Sequence, residues 1–207
     1  MTPRAAPMAP EDRRQAIVEA LIPLLVERGG DITTKEVARA AGIAEGTIFR
    51  VFPDKRALLL AAAEEAMNPT GGEEAFDEVL AGVTDLREGI IVVTHRILDR
   101  MRLTMSVMMA VRPQLIAAFH EEKAAGHKPE IGPPAFVLKA QADLHGRLTR
   151  LFTPYADLLA VDPSTAAIAM RSLIFGAHRP ELGMTPSLTP DQIADLLLGG
   201  VLARKDT

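Results

Sequence analysis

Residues 33–56 read TTKEVARAAGIAEGTIFRVFPDKR, and the spacing of their side chains predicts two short helices, a tight turn and the start of a third helix. Thr33 and Glu36 have the S/T-x-x-E spacing in which a hydroxyl and a carboxylate each satisfy an orphan backbone donor, so the first helix is expected to begin at Thr33. Val37, Ala38 and Ala41 give it one apolar face. Gly42 is the residue type that enters the left-handed conformation ending a helix, and Ile43 can pack under the bend. A second helix from Ala44 places Ile48, Val51 and Phe52 inside and leaves Glu45, Gly46, Thr47 and Arg50 outside. Asp54 is expected to cap a third helix starting at Lys55.

Two short helices joined by a glycine turn, the second with a small, polar outer face carrying a cation, fit a helix-turn-helix. Such a motif lays its second helix in the major groove of DNA. The segment resembles the DNA-binding signature of the TetR (tetracycline-repressor-like) family of transcriptional regulators. Thr34, Val37, Ala38, Ala41, Gly42, Ile43, Gly46, Thr47, Ile48, Phe52, Pro53, Lys55 and Leu58 carry that resemblance.

The resemblance implies an all-α chain with two parts. Residues 10–56 would form a three-helix helix-turn-helix DNA-binding domain, and residues 57–207 a helical ligand-binding and dimerisation domain. It also implies a homodimer on double-stranded DNA with a palindromic operator, most often a repressor released by a small apolar effector. Phosphate contacts are expected from Thr34, Thr47 and Lys55. Base reading is expected from Glu45, Thr47, Arg50 and Ala44, with Gly46 letting the backbone come close. Three departures bear on this. Phe49 stands where family members often have tyrosine, so only packing or a thymine methyl remains for it. Val51 replaces a common aromatic. Ala44 replaces serine, which removes a side-chain cap from the recognition helix.

The totals agree with a globular chain. Its 207 residues suffice for one or two domains with a sizeable core. Net charge is −4, but residues 1–56 hold nine Lys or Arg against eight Asp or Glu, and the remainder fourteen against nineteen. The basic charge is therefore biased toward the N-terminal part. Cysteine is absent, which excludes a disulfide framework and any thiolate site. The N-terminus lacks an apolar signal region and no run of about 18 apolar residues occurs, so a cytoplasmic chain with no membrane partner is expected.

Outside the motif the reading is helical throughout. Residues 1–9 form a Pro- and Ala-rich arm, either disordered or carrying Arg4, with Arg13 and Arg14, to phosphate or the minor groove. A helix from Glu11 to Arg28 contains Pro23 and ends at Gly29 and Gly30. Another runs from Lys55 to Met67, and a short one covers 73–82. The periodic stretch from Leu86 is expected to end at Arg112-Pro113, with a separate helix from Gln114 to Lys123. Helix returns at 134–152. Asp162-Pro163 and Thr189-Pro190-Asp191-Gln192 each announce a capped helix, and in the family two such C-terminal helices, here about 163–178 and 189–204, build the dimer. Gly199 and Gly200 make sense where another helix approaches.

Met101, Met105 and Met108, with Met109, read either as ordinary core or as a polarizable wall for an apolar effector. His95 and His145 read either as boundary histidines or as polar contacts in that pocket, which would also include Leu98. No histidine has metal-ligand spacing, and neither a G-x-S-x-G nor a phosphate loop is present. Catalytic residues, metal and cofactor are therefore expected to be none. The competing readings are a ligand-independent architectural DNA binder and a helical enzyme.

Overall fold

The computed structural model describes residues 9–124, 133–178 and 187–201, and among these the chain is helical. Residues 1–8 of the N-terminal arm and the C-terminal end of the expected dimer helix lie outside the described residues. The elements are α1 (Pro10–Arg28), α2 (Thr34–Ala40), α3 (Glu45–Val51), α4 (Lys55–Met67), α5 (Gly72–Ala81), α6 (Leu86–Ala124), α7 (Ala135–Phe152), a 3₁₀ turn (Thr153–Leu158), α8 (Pro163–Ala177) and α9 (Pro190–Val201). No helix among the described residues is long and apolar enough to cross a membrane.

The chain packs as two compact units, one of residues 1–69 and 101–132, the other of 70–100 and 133–207. In the first, α1 packs on α2, α3 and α4. Its core is built from Ile17, Val18, Leu21, Leu25, Val37, Ile48, Phe52, Leu58 and Leu59, all at most 2% exposed. Seven-residue helices such as α2 and α3 are not stable alone, so α1 and α4 must supply the apolar surface that holds them. The C-terminal half of α6 joins this unit. The Thr104 hydroxyl donates to the Ala66 carbonyl at 2.7 Å. Gly30 lies so close to α6 that a Cβ there would stand 2.2 Å from the Ala110 carbonyl oxygen.

In the second unit α7 packs on α5 and α8, and α8 on α9. The predicted caps form. Asp162 accepts from the Thr165 backbone N–H at 3.0 Å, and Thr189 and Gln192 exchange bonds of 2.9 and 3.2 Å as a capping box. Arg150 and Arg147 from α7 hold the Glu73 carboxyl of α5 below its ordinary range. Arg87 reaches Asp195 and Asp191 of α9 at 3.0 and 3.2 Å.

One boundary differs from the sequence reading. Helix α6 does not end at Arg112-Pro113 but continues through Pro113 to Ala124. Proline in a helix interior forfeits a hydrogen bond and crowds the carbonyl four residues before, costing about 3 kcal/mol. Here that residue is Met109, 58% exposed. Val107, Ala110 and Val111 are buried on the opposite side and hold the helix on course. Helix α1 likewise runs on through the exposed Pro23.

Candidate nucleic-acid interface

The geometry of the helix-turn-helix begins at Glu36. Its carboxylate accepts from the Thr33 backbone N–H at 2.9 Å and from the Thr33 hydroxyl at 2.8 Å, while that hydroxyl accepts from the Glu36 N–H at 3.3 Å. The other Glu36 oxygen takes Arg28 of α1 at 2.7 Å. The Thr33 backbone donor, then its hydroxyl, then Arg28 hold the Glu36 carboxyl down to about 2. One side chain therefore caps α2 and ties its start to the end of α1.

The turn closes as a Schellman motif. Gly42 has φ +67°, the Ile43 N–H donates to the Ala38 carbonyl at 2.9 Å, and the Gly42 N–H donates to the Arg39 carbonyl at 3.3 Å. Helix α3 then begins at Glu45, after the N-cap residue Ala44, with no side-chain cap. Asp54 caps α4 by accepting from the Ala57 N–H at 2.7 Å.

These local features present the expected face. Ala44, Glu45, Gly46, Phe49, Arg50 and Lys55 are exposed, and Thr34 and Thr47 are half-buried. Phe49 is 52% exposed and Ile48 1%, so α3 keeps its apolar side in the core and offers an aromatic edge outward. The structure joins two of the expected residues directly: the Thr34 hydroxyl donates to Glu45 Oε1 at 2.6 Å. Sequence spacing cannot show this bond, which crosses eleven positions and the turn.

Two exposed cations on α2, Lys35 and Arg39, were not among the expected contacts, although Lys35 directly follows Thr34. Arg14, which the alternative reading of the arm joins to Arg4, stands with its guanidinium 4.9 Å from the centre of the Phe52 ring.

The residues expected to meet an effector fall in different units. Met101, Met105 and Met108 belong to the first, where Met105 is 40% exposed. Met109 lines an open groove of about 470 Å³ with Leu25, Val26, Ser106 and Pro113. His95, Leu98 and His145 belong to the second. There His95 is exposed, Leu98 is buried, and His145 Nε2 lies 3.0 Å from the Ser164 hydroxyl. Thr94 is a polar group that the pocket reading omitted. It is fully buried, and its hydroxyl has no partner among the described residues.

Helices α1 to α4, with a Schellman turn between α2 and α3 and an exposed polar face on α3, form a helix-turn-helix. Residues 17–62 match the family model of bacterial regulatory proteins, tetR family. The match spans most of α1, the helix-turn-helix and the first part of α4, so this part of the chain is similar to regulators of that family.

Solved structures share the fold over nearly the whole chain. A putative TetR-family regulator from Mesorhizobium loti MAFF303099 is 15% identical with a TM-score of 0.64, the match covering 95% of this chain and 100% of that one. The TetR regulator SCO0520 from Streptomyces coelicolor is 22% identical with a TM-score of 0.52, covering 91% and 98%. SmeT in complex with triclosan is 19% identical with a TM-score of 0.52, covering 93% and 92%.

Proposed function

We propose that the protein is a cytoplasmic homodimeric repressor that binds a palindromic operator and is released by a small apolar effector. Residues 10–56 read DNA, and residues 57–207 sense the effector and dimerise. The observation that carries this reading is the outward face of α3, where Glu45, Gly46, Phe49 and Arg50 are exposed on a helix whose other side is anchored in the core. Two such helices enter successive major grooves about 34 to 36 Å apart. Thr34, Thr47 and Lys55 lie toward phosphate. Ala44, Glu45, Thr47 and Arg50 lie toward the base edges, and Phe49 toward a thymine methyl.

Dimerisation through α8 and α9 is supported by the apolar surface they leave outward. Ile168 and Phe175 on α8 are 46% and 38% exposed, and Leu196 on α9 is 56% exposed. A Cβ at Gly199 or Gly200 would meet nothing within 4 Å among the described residues. Release by an effector is supported by the SmeT structure, a chain of the same fold that holds triclosan. The effector must bind the two states with different affinity to shift them. His95, Leu98, Met101, Met105, Met108 and His145 are the proposed effector contacts.

Selection from a random duplex library with the full-length protein tests this reading. A single palindromic motif supports it, and uniform enrichment sinks it. Arg50→Ala is expected to lose about 1 to 3 kcal/mol of base discrimination at one position per half-site. Lys55→Ala is expected to weaken all sequences alike and reduce the salt slope by about 1. Binding left unchanged by both substitutions would refute the assignment of this face.

A further inference from the structure

The Thr34–Glu45 bond assigns these two residues a joint task in sequence selection. We propose that Thr34 is a positioning residue that fixes Glu45 as an acceptor for a cytosine amine in each operator half-site. The inference rests on the DNA-reading face described above and names the base class that it reads.

Glu45 is the first residue of α3 and is exposed. An exposed glutamate ordinarily samples many rotamers, and ordering it on binding costs entropy. The Thr34 hydroxyl, carried by the first residue of α2, donates to Oε1 at 2.6 Å and so holds the carboxylate in one place before DNA arrives. Thr33 and Glu36 cap α2, and the Gly42 turn sets its distance from α3. The bond thus spans two elements whose relative placement is already determined.

Oε1 carries the Thr34 bond, and Oε2 accepts none among the described residues. In the major groove guanine presents two acceptors and thymine one acceptor and a methyl group. Adenine offers a donor beside an acceptor, whereas cytosine offers only its N4 amine. A carboxylate, which only accepts, matches cytosine, meets lone pairs at guanine and thymine, and at adenine meets the repelling N7 lone pair beside the N6 amine. The anion also repels phosphate, so it contributes discrimination rather than general affinity.

The test is selection from random duplexes followed by titration of single-base operator variants, comparing wild type with Glu45→Gln, Thr34→Val and Thr34→Ser. Wild type is expected to require cytosine at one position per half-site, with roughly 5- to 100-fold weaker binding when it is replaced. Glu45→Gln, which can both donate and accept, should shift that position toward adenine. Thr34→Val should flatten the cytosine preference while other positions keep theirs, and Thr34→Ser should restore it. A Glu45→Gln profile identical to wild type would overturn the proposal. So would a Thr34→Val variant that weakens every sequence by one factor with the cytosine preference intact, since Thr34 would then serve only as a phosphate contact or as a tie between α2 and α3. Failure of the wild type to enrich any motif would instead overturn the DNA-reading face itself.

Discussion

Glu36 shows how much one side chain can organise. Its carboxyl is held at about 2 against an ordinary 4.5, so its contribution to stability is present above pH 4.5 and is lost as pH falls toward 2. Urea unfolding of wild type and Glu36→Gln across this range should give a stability difference that is largest at neutral pH and shrinks with acidification; a difference independent of pH would contradict this. Thr94 poses the opposite case. Its buried hydroxyl lacks a partner among the described residues, and an unsatisfied buried donor costs about 1 to 3 kcal/mol. Thr94→Val, nearly the same shape, should therefore raise stability by about 1 kcal/mol, seen as a higher urea midpoint. A loss of stability would show that the hydroxyl is bonded in solution. Thr33, Glu36, Gly42 and Asp54 were all legible in the sequence, because each acts within a few residues of itself.

At the level of elements, the ends of helices followed from local chemistry, while their courses did not. Thr33, Asp54, Asp162 and Thr189 start helices where their side chains can reach the first free N–H groups. Pro113 did not stop α6: it lies on the exposed side, while Val107, Ala110 and Val111 are buried and hold the helix on course. Gly30 makes a similar point. Its sequence setting suggests only a helix end, but α6 approaches it so closely that Gly30→Ala must displace backbone. That substitution is expected to cost about 1 to 3 kcal/mol. Gly46→Ala, where a Cβ meets nothing within 4 Å, serves as the control and should be neutral or stabilising by up to about 1 kcal/mol. Equal denaturation midpoints for the two variants would refute the close approach.

For the whole molecule, the proposed dimer makes the sharpest prediction. Leu196 is 56% exposed in the single chain, so Leu196→Glu should leave the fold intact while placing a charge in the α8–α9 interface. Sedimentation velocity should show a monomer, and operator binding should fall by orders of magnitude; a variant that remains a dimer would move the interface elsewhere. The sequence by itself determined the all-helical class, the helix-turn-helix and its caps, since these depend on periodicity and on bonds closed within one turn. Only the tertiary structure decided that α6 runs unbroken past Pro113, that Gly30 abuts α6, and that Thr34 holds Glu45 across the turn. Each of these joins residues distant in the chain or depends on which side faces water, and neither is encoded in local spacing.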